Sequence, residues 1–377
     1  MSEWKESKLG DVAEFRNGKS RPSKIESGSI PIYGGNGILG YTDTFNCQGE
    51  TVIVGRVGAY CGSVFYEHKS IWVSDNALFT VPKNETDAKY LYYLLKKMEL
   101  NNLAEGSSHP LLTQTLLNSL DAFITDSLPE QRAIAGVLSS LDDKIDLLHR
   151  QNKTLEGMAE ALWRKMFVEE ADPGWKKGRL GDVVEETIGG DWGDDIQSND
   201  LMPVICLRGV DLQHIKESGF SSEAPIRFIK PTSLEKRKLN ENEILIAGSG
   251  IGPIGKSIPI NSALLKCYSY PVIYSNFCKR LRAESKEMAY FIEFMIYQFY
   301  KEGELDQFHM GTSVPNFNLK DFLNYEITIP PRDIISFFSS LLTDWYTKKF
   351  TNQIRTLSRL RDTLLPKLMS GEVRVKV

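Results

Sequence analysis

Trp4-Lys5-Glu6-Ser7-Lys8-Leu9-Gly10-Asp11-Val12 and Trp175-Lys176-Lys177-Gly178-Arg179-Leu180-Gly181-Asp182-Val183 are nearly one string, written twice in a chain of 377 residues. The echo continues in the same order. Gly106-Ser107-Ser108-His109-Pro110 answers to Gly311-Thr312-Ser313-Val314-Pro315, and Leu128-Pro129 answers to Ile329-Pro330. Each of the last two pairs opens a helix-like stretch. Those stretches close alike, in Leu162-Trp163-Arg164-Lys165-Met166 and Leu364-Leu365-Pro366-Lys367-Leu368. Two long, diverged copies in one polypeptide predict approximate twofold symmetry, which suits a target that is itself two-sided. Duplex DNA is the commonest target of that kind.

The bulk properties bound the class. The chain is too long for one compact domain, and each of two to four domains has ample core. Hydrophobic residues make up 41% and charged residues 25%, as in an ordinary soluble protein. Cys47, Cys61, Cys206, Cys267 and Cys278 are odd in number and lack Cys-x-x-Cys spacing, which predicts free thiols in a reducing compartment and neither a disulfide framework nor a zinc site. The N-terminus has no apolar signal region and no run is long enough to cross a bilayer, so a cytoplasmic protein without membrane contact is expected. The net charge of −4 does not by itself favour a nucleic-acid partner. A phosphate-binding face must then be a local concentration of cations, with candidates Lys19, Arg21 and Lys24 in the first copy. In the second they are Lys236-Arg237-Lys238 and Lys279-Arg280-Arg282.

Each copy divides into a large mixed part and a helical part. Apolar runs at 51–54, 63–66 and 77–81, punctuated by glycine, predict strands of a curled sheet, and a helix follows over 87–100. The second copy repeats this with runs at 244–247 and 271–274 and a helix around 288–300. In the helical part of the first copy, Ile134, Leu138, Leu141, Ile145, Leu148, Asn152, Leu155, Ala159, Leu162 and Met166 follow a 4-3-4-3 spacing. That is a heptad seam whose one polar member, Asn152, would fix register if buried. The second copy has Ile335, Phe338, Leu342, Tyr346, Phe350, Ile354, Leu357, Leu360, Leu364 and Leu368, with bulkier residues toward its start. The first helix leans acidic (Asp142, Asp143, Asp146, Glu156, Glu160) and the second basic (Lys348, Lys349, Arg355, Arg359, Arg361). Antiparallel pairing of the two as a coiled coil is therefore expected, with the mixed domains at opposite ends of a rod.

One motif looks catalytic. Residues 250–257 satisfy the phosphate-loop pattern G-x-x-x-x-G-K-[ST] after an apolar strand. That mechanism needs a helix opening at Lys256-Ser257 to cradle phosphates. Instead Ile258-Pro259-Ile260 follows, and Pro259 sits poorly in a helix. The matching glycine-rich stretch 55–62 lacks the lysine, so a shared strand connection explains the match better. The histidines have no metal-type spacing and accompany no G-x-S-x-G nucleophile. No catalytic residue, metal site or cofactor site is predicted in this chain.

The order of Leu9-Gly10-Asp11-Val12, the Gly-Ser-Ser element at 106–108, Leu128-Pro129-Glu130-Gln131-Arg132-Ala133-Ile134 and Leu364-Leu365-Pro366-Lys367-Leu368-Met369-Ser370-Gly371-Glu372 resembles the specificity subunits of type I restriction-modification systems. The resemblance spans essentially the whole chain and both copies. It implies two target-recognition domains, each reading one half of a bipartite site in double-stranded DNA, and two helices that act as a ruler between the half-sites. It also implies two copies of a separate methyltransferase subunit carrying S-adenosylmethionine, and a restriction/translocase subunit. The second copy departs at Pro330-Pro331-Arg332-Asp333, which lacks the Glu-Gln pair.

The expected fold is α+β: two mixed α/β domains, 1–127 and 171–330, joined by long antiparallel coiled-coil helices, 128–170 and 331–377, in pseudo-twofold arrangement. Base readout needs polar side chains on loops. In the first copy these are Arg56 and Tyr60 in the glycine loop, Lys19 and Arg21 near the start, and Ser107, Ser108 and His109. In the second the equivalents are Ser249 and Lys256, Arg208, and Thr312, Ser313 and Asn316. The coiled-coil contacts are expected at Leu138, Leu141, Ile145, Leu148, Asn152 and Leu155, against Leu342, Tyr346, Ile354, Leu357 and Leu364.

Overall fold

The computed structural model describes residues 4–23, 28–83, 85–104, 110–250, 252–311, 315–349 and 353–376. Two compact units emerge, Met1–Asp146 with Arg355–Val377, and Leu147–Ile354.

The repeated opening string does the same structural work in both. In the first unit, strand Trp4–Lys8 pairs antiparallel with Asp121–Thr125. Leu9 is fully buried, its N–H donates to the Leu120 carbonyl at 2.9 Å, and the Asp11 carboxylate accepts the Lys8 N–H at 3.3 Å. In the second unit, strand Lys176–Arg179 pairs with Glu326–Ile329. Leu180 is again fully buried, its N–H donates to Tyr325, and Asp182 accepts the Arg179 N–H at 2.7 Å. The leucine anchors the turn in the core, and the aspartate satisfies a backbone donor that the turn would otherwise leave open.

The sheets repeat as well. Strands Ala13–Asn17, Ala77–Pro82, Thr51–Gly55 and Val64–Glu67 form a four-stranded sheet in that order, and Val184–Glu186, Cys278–Ala283, Glu243–Ala247 and Ser257–Pro259 form its counterpart. Three-stranded sheets also match, Gly37–Thr42, Ile30–Gly34 and Trp72–Val73 against Ile226–Ile229, Met202–Leu207 and Val272–Tyr274, each with one parallel pair. Thr51–Gly55 is buried throughout because both its faces are covered. Val52 and Val54 pack with Leu91, Leu94 and Leu95 of helix Ala88–Lys97, whereas Ile53 packs with Tyr33, Val73 and Phe79. A strand covered on both sides reads as a continuous β-branched run, which is what 51–54 shows.

Helix Leu128–Arg164 is unbroken and runs into a π-helical turn, Lys165–Glu169. Within the first unit Ile134 and Leu138 are fully buried, and Leu364 and Leu365 of helix Gln353–Leu368 pack on the same core. Asp142 pairs with Arg361 at 2.7 Å, and Glu130 pairs with Arg374 at 2.7 Å. Residue numbers rise on one side as they fall on the other, so the packing is antiparallel and the opposite charges do meet. Within the second unit Trp163 faces Phe338 at 5.6 Å, and Leu155, Ala159 and Leu162 pack on the core that holds Phe338 and Leu342. Leu141, Ile145, Leu148, Ile354 and Leu357 are half-buried. Phe350 lies outside the described residues.

Two expectations for the seam change. Tyr346 does more than fill a two-helix seam: its ring stacks on Tyr290 at 5.4 Å and its hydroxyl donates to Glu293, both on helix Lys286–Glu302. The bulky residues that begin helix Arg332–Lys349 therefore serve packing on the mixed domain's own helix as well as the central one. Asn152 is half-exposed at the wall of a cleft rather than sealed in a seam, since polar surface from the mixed domain replaces an apolar partner there.

Candidate nucleic-acid interface

The two copies converge on one backbone arrangement at the end of each four-stranded sheet. In the first unit, the loop after Thr51–Gly55 is closed by Gly62 N–H on the Gly55 carbonyl at 2.8 Å. Arg56 N–H donates to the Asn76 carbonyl, Leu112 N–H to the Arg56 carbonyl and Gly58 N–H to the Pro110 carbonyl, with Val57 bridged to Leu111. In the second unit, Gly255 N–H closes on the Ala247 carbonyl at 2.9 Å. Gly248 N–H donates to Phe277, Phe317 N–H to Gly248 and Gly250 N–H to Pro315, with Ser249 bridged to Asn316. Bond for bond, Arg56 corresponds to Gly248, Val57 to Ser249, Asn76 to Phe277 and Leu111 to Asn316. The glycines are placed by sterics: a Cβ on Gly55 would lie 2.3 Å from the Tyr60 carbonyl oxygen.

A third strand joins each cluster. Lys19 N–H donates to the Val73 carbonyl, and Asp191 N–H donates to Tyr274, making these two positions equivalent. The glycines before them allow this approach. A Cβ on Gly18 would lie 2.0 Å from the Ser74 carbonyl oxygen, and one on Gly190 2.2 Å from that of Ser275.

On this shared backbone the side chains differ. Lys19 and Arg21 are exposed, and Tyr60 is 52% exposed. Arg56 is half-buried, with Nε enclosed and without a hydrogen-bond partner among the described residues. At the position of Lys19 the second unit has Asp191, which accepts from Ser233 and from the Gly193 N–H. Burial pushes its carboxyl up, but those hydrogen bonds and nearby Arg237 outweigh burial and hold it below the usual range. Asn316 is exposed and Ser249 is buried beside it. Ser107, Ser108, His109, Thr312, Ser313 and Lys24 lie outside the described residues.

Several equivalences read from the sequence shift. Ser249 matches Val57 rather than Arg56. Lys256, whose carbonyl accepts the Ala247 N–H, occupies the place of Ser63, whose carbonyl accepts the Gly55 N–H. Its ammonium lies 5.9 Å from the Tyr300 ring centroid. Arg208 is held by Asp211 in a bidentate pair at 2.8 and 3.2 Å and by the Glu223 carbonyl, so its guanidinium braces the start of helix Gly209–Ser218. The cation clusters are partly consumed within the fold. Arg280, 2% exposed, donates to the carbonyls of Lys236 and Lys238 and pairs with buried Glu243, as does Arg282. Ser257 opens a strand, so the helix that a phosphate loop needs does not begin at Lys256-Ser257.

Asn76 and Phe277, the second of these 66% exposed, escaped the reading of the sequence. The repeat held a signal for them, since Val73-Ser74-Asp75-Asn76-Ala77 and Tyr274-Ser275-Asn276-Phe277-Cys278 are sister stretches that share only their serine.

Comparison with known proteins bears on this duplicated arrangement. The family described as the type I restriction modification DNA specificity domain matches residues 1–157 and again 173–355. The chain belongs to that family. It is a DNA-sequence specificity subunit of a type I restriction-modification system. It is 26% identical over 424 residues to the type I restriction enzyme MjaIX specificity subunit of Methanocaldococcus jannaschii, covering 99% of this chain and 94% of that protein. It is 24% identical to the MjaVIII specificity subunit of the same organism, over 85% of this chain and 78% of the relative. Its fold is similar to that in the crystal structure of the type I restriction-modification S subunit from M. genitalium, with a TM-score of 0.67, 19% identity and coverage of 97% and 96%. Among the described residues, no helix is long and apolar enough to cross a membrane.

Proposed function

We propose that each loop cluster reads one half of a bipartite DNA site, that the helices between and after the recognition domains set the spacer, and that those helices dock two methyltransferase subunits. The chain contributes specificity and no catalysis. S-adenosylmethionine and the methyl transfer belong to the partner, and a restriction/translocase subunit completes the assembly. Lys19, Arg21, Arg56 and Tyr60 serve the first half-site; Ser249, Asn316 and Phe277 serve the second, with the polar residues in reach of base edges or phosphates.

The observation that carries this reading is the pairing of an identical backbone register with unlike side chains, Lys19 against Asp191, Asn76 against Phe277 and Leu111 against Asn316. A framework shared by both copies suits one docking geometry applied twice. Side chains that differ at its tips suit two different half-sequences. The test replaces the first recognition domain by that of a relative and maps methylated adenines in host DNA. One half-site changes and the other half and spacer stay. A change in both halves, or in neither, defeats the division of labour.

A further inference from the structure

Within the second unit a cleft of about 400 Å³ opens between the central helix, helix Gly209–Ser218, the base of the glycine loop and helices Lys286–Glu302 and Arg332–Lys349. Four ammonium groups line it: Lys153, Lys216, Lys256 and Lys349. The carboxylates nearby already accept hydrogen bonds, one of them from Lys216 itself. Glu156 accepts from the Tyr297 hydroxyl at 2.8 Å, Glu217 from Gln213, and buried Glu293 from Lys216 at 3.2 Å and Ser257 at 2.9 Å. The ammonium groups of Lys256 and Lys349 make no ion pair or hydrogen bond among the described residues; they rest on rings, Tyr300 at 5.9 Å and Trp345 at 5.0 Å. Lys349 is only 5% exposed.

A buried ammonium without a hydrogen-bonded counter-ion costs free energy that a directly bound anion would offset. Burial pulls the Lys349 ammonium below its ordinary range, against the opposing pull of Glu156. The lysine of the phosphate-loop-like stretch thus comes to a cationic cleft, although a strand rather than a helix follows it.

We propose that this cleft is a phosphate-binding site, formed by Lys349 and Lys256 with Lys153 at its rim. The phosphate comes either from the backbone of the unread spacer DNA or from a free phosphorylated molecule. The first source rests on the DNA-reading function proposed above, and the second does not. Three versions of the full chain, wild type, Lys256→Ala and Lys349→Met, together with the double variant, separate them. Calorimetry with inorganic pyrophosphate reads the site directly. Binding of a duplex of arbitrary sequence over a salt series reads its use by DNA.

If the spacer backbone is the ligand, the double variant lowers the slope of log affinity against log salt by about 2, roughly 1 per lost phosphate contact. If a small molecule is the ligand, pyrophosphate binding is lost in each variant while the salt slope stays. Should the variants change neither quantity, or the wild type bind no pyrophosphate and show an unchanged slope in the double variant, the site does not exist. A wild type that binds no duplex removes the DNA-reading function, and the pyrophosphate titration still decides the cleft. Lys349→Met keeps the buried aliphatic stem, and Lys256→Ala, at a half-exposed position, gives an independent answer should the first variant misfold.

Discussion

Arg374→Ala tests whether the Glu130-Gln131 pair, present in one copy only, is a pin of the fold. Glu130 is 3% exposed at its side chain and meets Arg374, 47% exposed, at 2.7 Å; it also accepts from Thr125 at 2.8 Å. Gln131 donates to the Thr125 carbonyl and accepts from the Asp87 N–H, both within 2.9 Å. The pair therefore ties the start of the central helix and the C-terminal tail to the first recognition domain. Exposed ion pairs are worth about 0–1 kcal/mol, and stripping a partner from a fully buried one costs about 3–5 kcal/mol. With one partner buried and the other half in water, Arg374→Ala should cost roughly 2 kcal/mol. Glu130→Gln keeps the shape and the Thr125 contact but removes the charge, and should cost somewhat less. The two changes share one interaction, so in urea unfolding the double variant should cost about 1–2 kcal/mol less than the sum of the singles. Sites that do not interact add within about 0.3–0.5 kcal/mol. Additivity within that margin would mean that the contact does no pinning, and the Glu-Gln element would then need a partner outside this chain.

Trp163→Ala should destabilise by about 3–5 kcal/mol, because the indole packs on Phe167, Phe291, Phe294 and Phe338 within 5.6 Å; a loss in urea unfolding below 1 kcal/mol would contradict that packing. Gly18→Ala and Gly190→Ala should each cost about 1–3 kcal/mol in the same assay by overpacking, and equal stability to wild type would show that the close strand approach is not needed. Inserting matched heptads into the central and distal helices should lengthen the recognised spacer by about 3 base pairs, from 1.5 Å rise per residue and 3.4 Å per base pair; an unaltered spacer in the methylome refutes the ruler. Burial pushes the thiols of Cys206 and Cys278 up to about 12. Against an unfolded value near 8.5, their protonated forms favour the fold, so this contribution is intact below about pH 8.5 and falls away as pH rises toward 12. Native protein at pH 8 should leave both unmodified by a thiol reagent, and rapid labelling of either would refute their burial.

Much of the framework was legible because it rests on strong local rules. The Leu-Gly-Asp string, the β-branched run 51–54 and the helical period from Ile134 each have one cheap way to fold, and each folds that way. The interface was less legible because cations are recruited by tertiary partners that no spacing announces. Arg208 looks like a free loop cation in sequence, yet Asp211 three residues on claims it. Arg280 and Arg282 read as a basic run, yet Glu243, from a strand 37 residues earlier than Arg280 in the numbering, pairs with both. Tyr346 read as a seam residue because helical spacing cannot tell which of two flanking helices an aromatic faces.

The repeat itself carries more information than either copy. Aligned by sequence, Gly55 and Gly250 looked like partners because both begin glycine-rich stretches. Aligned by backbone hydrogen bonds, Gly58 is the partner of Gly250, and Gly62 of Gly255. From the Gly55/Ala247 pair to Gly62/Gly255 the second loop is one residue longer, since 62 minus 55 is 7 and 255 minus 247 is 8. A one-residue insertion between fixed anchor points lengthens the tip and leaves the strands in register. It also explains how a phosphate-loop pattern arises by accident. The insertion widens the space between two glycines that the fold requires, and Lys256 then follows just before the return strand that Ser257 opens. The lysine is thereby turned toward Tyr300 and the cleft. Loop length thus joins the side chains at the anchor positions in setting the two copies apart, while the glycines are common to both.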